Sequence, residues 1–183
     1  MTDHTVDVSP RRKARIAGTF YLLTFLTGLP AFFVRGRFGV ALGLIAGACY
    51  IVVTLLFYYI FKPVNRNLSL LAAFVSLVGC AIGPAAAGFH LTLQINPMVF
   101  FGFYCLLIGY LIFRSTFLPR ILGVLLAISG LCYQIDNFAG FLWPAFQAHL
   151  EPYILLPGVA ELLLALWLVV MGVNEQRWKE RAG

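Results

Sequence analysis

The sequence predicts an all-α fold, a polytopic transmembrane helical bundle of six spans with both termini in the cytoplasm. The chain of 183 residues is 61% hydrophobic and only 11% charged, with a mean hydropathy of +0.91. A soluble domain, by contrast, is typically about 25% charged. The apolar residues fall in blocks of about 20, long enough to cross a bilayer core of roughly 30 Å as helices. Basic residues gather in alternate connectors between these blocks, which is typical of connectors that face the cytoplasm.

The chain divides into three parts. Residues 1–13 are predicted to form a disordered basic tail, residues 14–173 the transmembrane domain, and residues 174–183 a polar cytoplasmic tail. We expect no secretory signal, because no small-residue cleavage site follows the basic run "RRKAR" and more apolar blocks come after it. The six expected spans are 16–34, 38–61, 68–93, 98–113, 121–143 and 153–173.

The connectors carry residues that end and start helices. "RGR" is a tight link after the first span, and "KPVNRN" places a proline before the third. "QINP" offers Asn96 as the N-cap of the fourth span and Pro97 as its first residue. "RSTFLPR" separates the fourth and fifth spans, and "PAFQAHLEP" is the longest link, before the sixth. Because the fourth span is short, a re-entrant or tilted segment stays an alternative there.

The distribution of lysine and arginine sets the expected orientation. With the N-terminus in the cytoplasm, 11 of the 13 basic residues lie on cytoplasmic segments, and only Arg35 and Arg37 lie outside. This split favours an even number of spans and a location in the plasma (inner) membrane. The net charge of +6 is therefore interpreted as a topology signal. The expected partner is the lipid bilayer, and no nucleic acid is expected.

Small residues recur at helical spacing on three of the spans. Such faces let helix backbones approach closely within a membrane. The favoured interpretation is packing within the bundle, and a homo-oligomer through the glycine-rich faces is the alternative. The faces are Gly39, Gly43 and Gly47 on the second span, Gly79, Gly83 and Ala87 on the third, and Gly158, Ala165 and Gly172 on the sixth.

Five segments carry a resemblance to a known family. They are "ARIAG" at 14–18, "KPVNR" at 62–66, "FGFYCLLIGYLIFRS" at 101–115, "LPRILGVLL" at 118–126 and "YQIDNFAGF" at 133–141. In this order they resemble a bacterial multi-pass membrane family catalogued as domain of unknown function 4386. Other members have a longer outer segment where this chain has "VRGRFGV". The resemblance implies an integral membrane fold, and it carries over no activity and no catalytic residue.

Two acidic residues, Asp136 and Glu161, lie within the predicted spans. An ionised carboxylate at the centre of a membrane helix costs on the order of 3 kcal/mol, so each needs a partner, a proton or a water-filled cavity. From the helix rise, Asp136 and Glu161 lie about 10 and 12 Å below the outer boundary, and His90 about 5 Å. These depths predict a pocket in the outer half of the bundle. Its candidate lining residues are His90, Gln94, Tyr133, Asp136, Asn137 and Glu161.

The same residues limit the chemistry of the pocket. Arg35 and Arg37 are ion-pair candidates for Asp136, and Glu161 would then be the carboxyl group that carries a proton. A histidine with two carboxylates suits zinc or manganese. No ligand spacing fixes such a site, so the metal and any cofactor stay unknown. A purely structural role, with the carboxyl groups locking one packing of the helices, is the alternative.

Three classes of function remain open on this sequence. The favoured hypothesis is binding or transport of a small cation, proton or amphiphile through the polar pocket. A structural or accessory membrane subunit is the alternative. An intramembrane enzyme using His90, Asp136 and Glu161 ranks lower, because the chain has no nucleophile motif and no cofactor fingerprint. No catalytic residue is therefore assigned.

Overall fold

The computed structural model describes residues 9–34, 36–88, 96, 98–150, 153 and 155–183, without the side chains of residues 32, 83–88 and 156. This part of the chain is built of eight α-helices and contains no β-strand, which confirms the predicted all-α class for the described residues. The helices are α1 (Pro10–Phe33), α2 (Arg37–Phe61), α3 (Arg66–Gly88), α4 (Met98–Arg114), α5 (Arg120–Leu142), α6 (Pro144–Leu150), α7 (Leu156–Val170) and α8 (Glu175–Ala182).

Both predicted tails contain helix. The Ser9 hydroxyl accepts a hydrogen bond from the Arg12 amide at 3.3 Å, and Pro10 stands at the first helical position. Because this cap starts α1 at Pro10, the prediction of a disordered tail is wrong for residues 10–13. At the other end, the Asn174 side chain accepts from the Arg177 amide at 3.1 Å and starts α8. The predicted cap at Asn96 is confirmed, because its side chain accepts from the Met98 amide at 3.0 Å.

The six longer helices form a closed ring. Each of α1 to α4 packs against the next helix in the chain, α5 packs on both α4 and α7, and α7 packs on α1. The guanidinium of Arg11 donates to the Met171 carbonyl at 3.3 Å, so α1 begins where α7 ends. The Asn174 amide donates to the Phe117 carbonyl at 3.1 Å, so α5 also begins at this end. We call it the terminal end of the ring.

A sharp turn connects α7 to α8. Gly172 has a φ of 69°, a left-handed conformation that glycine adopts without a steric penalty. Its amide bonds to the Trp167 carbonyl at 3.2 Å, which closes the last turn of α7. As a result, α8 leaves at 97° to α7. The indole N–H of Trp178 then donates to the Ile60 carbonyl at 2.9 Å and fixes α8 across the terminal end.

Glycines set the distance between α4 and α5. A Cβ atom on Gly123 would lie 2.6 Å from the Gly109 carbonyl oxygen, and one on Gly130 would lie 2.8 Å from the Gly102 carbonyl oxygen. The two backbones are therefore in direct contact at two heights, and we call these four residues the α4–α5 seam. By contrast, no atom of the described residues lies within 4 Å of a Cβ built on Gly43 or Gly47. Bundle packing within the described part does not use that section of the predicted glycine face.

The outside of the ring is apolar. Phe38, Phe74 and Ile121 are 78%, 60% and 60% exposed, and a protein in water rarely shows so continuous an apolar surface. By length and composition, α2 and α5 could each cross a membrane, and α7 with α8 would add a third span if counted as one bent segment. The 17 residues of α4 and 15 of α7 rise only about 26 and 23 Å. Six full spans, and the side that the terminal end faces, therefore stay predictions.

Candidate functional site

Glu161 lies in the middle of the ring, on α7, with only 2% of its surface exposed. The Tyr21 hydroxyl, from α1, donates to one carboxylate oxygen at 2.7 Å. The Tyr133 hydroxyl, from α5, donates to the other at 2.8 Å. Each oxygen of the buried carboxylate therefore receives a hydrogen bond from a different helix. Within the described part of the chain, no lysine, arginine or histidine pairs with it.

Close contact between α1 and α7 brings Tyr21 to Glu161. A Cβ atom on Gly18 would lie 2.7 Å from the Val169 amide nitrogen and 2.9 Å from the Ala165 carbonyl oxygen. Tyr21 follows Gly18 by three residues, and Glu161 precedes Ala165 by four. Residues at these spacings lie on one face of a helix, so the glycine contact aligns the hydroxyl with the carboxylate.

Aromatic rings enclose the carboxylate. The centroids of Tyr21 and Tyr50 lie 5.6 Å apart, and those of Tyr50 and Tyr104 lie 5.7 Å apart, both in edge-to-face geometry. Phe101 packs on Tyr133, with centroids 5.4 Å apart. Four tyrosines, one each from α1, α2, α4 and α5, thus surround the interior of the ring. We call Tyr21, Tyr50, Tyr104 and Tyr133 the tyrosine cluster.

Several polar atoms in this core have no hydrogen-bond partner among the described residues. They include the hydroxyls of Tyr50 and Tyr104, whose side chains are 5% and 2% exposed. Gln134 donates to the Val99 carbonyl at 2.8 Å, while its side-chain oxygen is buried and unpaired. An unsatisfied buried polar group costs about 1–3 kcal/mol. The core therefore contains donors and acceptors that are not used in hydrogen bonds among the described residues.

The structure joins two of the predicted pocket residues, Tyr133 and Glu161, by a direct hydrogen bond. Asn137 lies one turn further along α5 and donates to the Tyr133 carbonyl at 2.7 Å. Asp136 is half-buried, and its Oδ1 atom is enclosed without a hydrogen-bond partner among the described residues. No hydrogen bond joins Asp136 to Glu161 there, so the two predicted carboxylates have different surroundings.

The remaining predicted site residues are His90, Gln94, Arg35 and Arg37. His90, Gln94 and Arg35 fall outside the described residues. Arg37 is exposed at the first residue of α2 and makes no ion pair with Asp136. The pairing of Asp136 with Arg35 therefore stays a prediction. Among the described residues, no group of three or more histidine, cysteine or acidic side chains could hold a metal ion.

The sequence interpretation missed four polar residues of this core: Tyr21, Tyr50, Tyr104 and Gln134. A signal was present for the tyrosines. Tyrosine in membrane proteins is enriched at the interfaces, where its hydroxyl reaches water. Tyr50 and Tyr104 lie near the middle of predicted spans, which is therefore unusual and indicates a polar role within the bundle. Their positions alone could not say which residues share that role.

Comparison with known proteins identifies the family of the chain. Residues 35–96 and 85–172 match the family described as domain of unknown function (DUF4386). An uncharacterized protein of the archaeon Archaeoglobus fulgidus is 29% identical over 129 residues, which cover 67% of this chain and 76% of that protein. No solved structure matches. The matched segments include α2 to α5 and α7, which bear most of the tyrosine cluster and Glu161. The chain therefore belongs to the family of domain of unknown function 4386.

Proposed function

We propose that this chain is a multi-pass membrane protein that binds and transfers a proton at Glu161. The observation that carries the proposal is a buried carboxylate held by two tyrosine hydroxyls, without a cationic partner among the described residues. Ionisable residues inside membrane helices are costly and commonly mark proton or ion pathways. A carboxyl group in this setting can lower its charge by taking up a proton or by binding a small cation.

The enclosure of Glu161 favours the smallest ligand. Glu161 and Tyr21 are each 2% exposed, and aromatic rings pack around them. An amphiphile would need an open groove, and a hydrated cation would need room for further oxygen ligands. A proton needs neither. Among the three ligands expected from the sequence, the proton therefore requires the least rearrangement of this core.

The tyrosine hydroxyls suit both protonation states of the carboxyl group. A tyrosine hydroxyl is both a donor and an acceptor, and its hydrogen can turn to either side in the plane of the ring. When Glu161 is ionised, Tyr21 and Tyr133 both donate to it. When Glu161 is protonated, it donates to one of them, whose hydroxyl hydrogen turns away. The unpaired hydroxyls of Tyr50 and Tyr104 provide further groups toward which hydrogen bonds could turn.

The proposed topology keeps six crossings with both termini in the cytoplasm of a plasma (inner) membrane. Three observations support it. The start of α1 and the end of α7 lie together, as an even number of crossings requires. Most of the basic residues of the chain belong to the segments that meet at this end. The outer surface of the ring is apolar over its length.

Proton transfer can be tested in liposomes that contain the purified protein and a pH-sensitive dye. A potassium gradient with valinomycin sets the membrane potential, and acidification of the interior is followed. We expect Glu161→Gln, which keeps the shape but removes the titratable group, to reduce the rate to that of protein-free liposomes. Glu180→Gln, the same change at an exposed position on α8, is the matched control and should keep the wild-type rate.

Two results would contradict the proposal. One is a wild-type rate no greater than that of protein-free liposomes. The other is an equal rate for wild type and Glu161→Gln. The structural alternative has its own support, because the bonds from Tyr21 and Tyr133 tie α1, α5 and α7 together. The structural alternative predicts that Glu161→Gln changes thermal stability and that neither wild type nor variant transfers protons. An enzymatic role has no support among the described residues.

A further inference from the structure

A cleft at the terminal end of the ring has three arginines on its walls. Its volume is about 340 Å³, within the range of roughly 300–1,000 Å³ that is common for small-molecule sites. It is lined by Phe113, Arg114, Thr116, Arg120 and Arg181. Among the described residues, no carboxylate lines it. We call this the arginine cleft.

The chain builds the cleft from three helices. Arg114 is the last residue of α4 and Arg120 the first residue of α5, so the connector between them places both at the same end. The 97° bend after α7 carries α8, with Arg181, to this position. The Arg177 guanidinium donates to the Thr116 carbonyl at 3.1 Å and ties α8 to the connector.

The three guanidinium groups carry like charge. Within the described part of the chain, no hydrogen bond or ion pair to another protein group involves the side chains of Arg114, Arg120 or Arg181. The Arg120 guanidinium lies 5.8 Å from the centroid of the Phe113 ring, a cation–π contact that restricts its position. Pro119, which precedes α5, supplies no side-chain cap, so the first amides of that helix add positive potential.

This arrangement matches the chemistry of phosphate. The guanidinium group presents its N–H donors in a planar fork that fits two oxygens of a phosphate group. Arginines from three helices can contact a phosphate from different sides. Basic pockets between helices at the cytoplasmic side of a membrane are suited to anionic headgroups.

An apolar surface leads away from the cleft along both helices. Tyr110 lies one turn before Arg114 and is 49% exposed, while Val124 and Ile128 lie one and two turns after Arg120 and are 38% and 51% exposed. Residues at these spacings share a face of their helix. A ligand with a phosphate in the cleft could therefore lay an acyl chain on this surface.

We propose that the arginine cleft binds a phosphate-bearing anion, supplied by the headgroup of an anionic membrane lipid. The site is separate from Glu161. Tyr133, the α5 partner of Glu161, lies 13 residues beyond Arg120, which is about 20 Å along the helix. Loss of proton transfer and loss of lipid binding can therefore be measured independently.

The test titrates the purified full-length protein in detergent with phosphatidylglycerol, phosphatidylcholine or inorganic phosphate and counts bound molecules by native mass spectrometry. A cleft variant removes the three guanidinium groups, and a control variant removes the same charge from exposed positions at the terminal end. The cleft variant is Arg114→Gln, Arg120→Gln and Arg181→Gln, and the control is Arg12→Gln, Arg66→Gln and Lys179→Gln.

We expect phosphatidylglycerol to bind the wild type and the control with equal affinity. We expect its affinity for the cleft variant to be lower by about tenfold or more. Arg120→Lys keeps the charge and should weaken binding by less, so the test survives a misfolded triple variant. Competition by inorganic phosphate would support the phosphate site, whereas binding of phosphate without binding of phosphatidylglycerol would assign it to a soluble ligand and overturn the lipid proposal. Equal losses in cleft variant and control, equal binding of phosphatidylcholine, or binding of neither phosphatidylglycerol nor phosphate would overturn the proposal.

Discussion

The α4–α5 seam and the glycine face of α2 both carry small residues at helical spacing, and they differ in what lies opposite. In the seam, Gly109 meets Gly123 with backbone atoms in direct contact. On α2, Gly43 and Gly47 meet no atom of the described residues within 4 Å. Close contact in the seam therefore depends on small residues at matching heights on both helices. A run of glycines on one helix permits such a contact and does not create it.

The largest effect on stability is expected from Gly123→Leu. The new side chain would collide with the Gly109 carbonyl oxygen and the Phe113 amide nitrogen, which are backbone atoms that cannot turn aside. Overpacking usually costs about 1–3 kcal/mol, and this site lies at the upper limit or beyond. Thermal unfolding in detergent, followed by circular dichroism, measures the loss. A melting temperature equal to that of the wild type would contradict the seam.

An intermediate effect is expected from Gly18→Ala at the α1–α7 contact. A single methyl group would lie 2.7 Å from the Val169 amide nitrogen, so α1 has to shift. We expect a loss of about 1–3 kcal/mol and weaker hydrogen bonding of Tyr21 to Glu161. Unfolding experiments on Gly18→Ala, Tyr21→Phe and the double variant measure the coupling. Strictly additive losses would show that the glycine contact does not position the tyrosine.

The smallest effect on monomer stability is expected from Gly43→Leu, within about 0.5 kcal/mol, because the position faces open space in the described structure. Size-exclusion chromatography with light scattering would report oligomeric state in the same sample. A smaller oligomer with unchanged unfolding would assign the face to contacts between copies of the chain. A large loss of stability in a monomer would contradict this comparison, because it would show that Gly43 packs within the bundle.

The sequence predicted helix positions closely where glycine or proline marks the helix ends. The second span was predicted over 38–61 and α2 is Arg37–Phe61, because Gly36 and Pro63 limit it at either end. The sixth span was predicted over 153–173, whereas α7 is Leu156–Val170 and Gly172 starts the turn into α8. Hydropathy could not separate these parts, since apolar residues continue through the turn.

The site could be predicted only in part. The nearness of Glu161 to α5 followed from the packing of consecutive spans, while its depth in a membrane stays a prediction. Tyr21 could not be found in this way, because its contact with Glu161 joins the first and last helices of the ring. Helices that follow one another in the chain usually pack together. The contact between α1 and α7 depends instead on how all six ring helices are arranged. Asp136 and Tyr133 are three residues apart and lie on one side of α5, yet only Tyr133 bonds to Glu161 among the described residues.

The position of α7 in the ring has a consequence for the order of biosynthesis. Because α7 packs on both α1 and α5, the first five ring helices leave a gap until the end of the chain is made. During that interval, Tyr21 and Tyr133 have been made while their shared carboxylate partner on α7 has not. Arrival of α7 fills the gap and satisfies both hydroxyls together. A chain truncated before residue 156 would leave the ring open and both hydroxyls without their carboxylate acceptor.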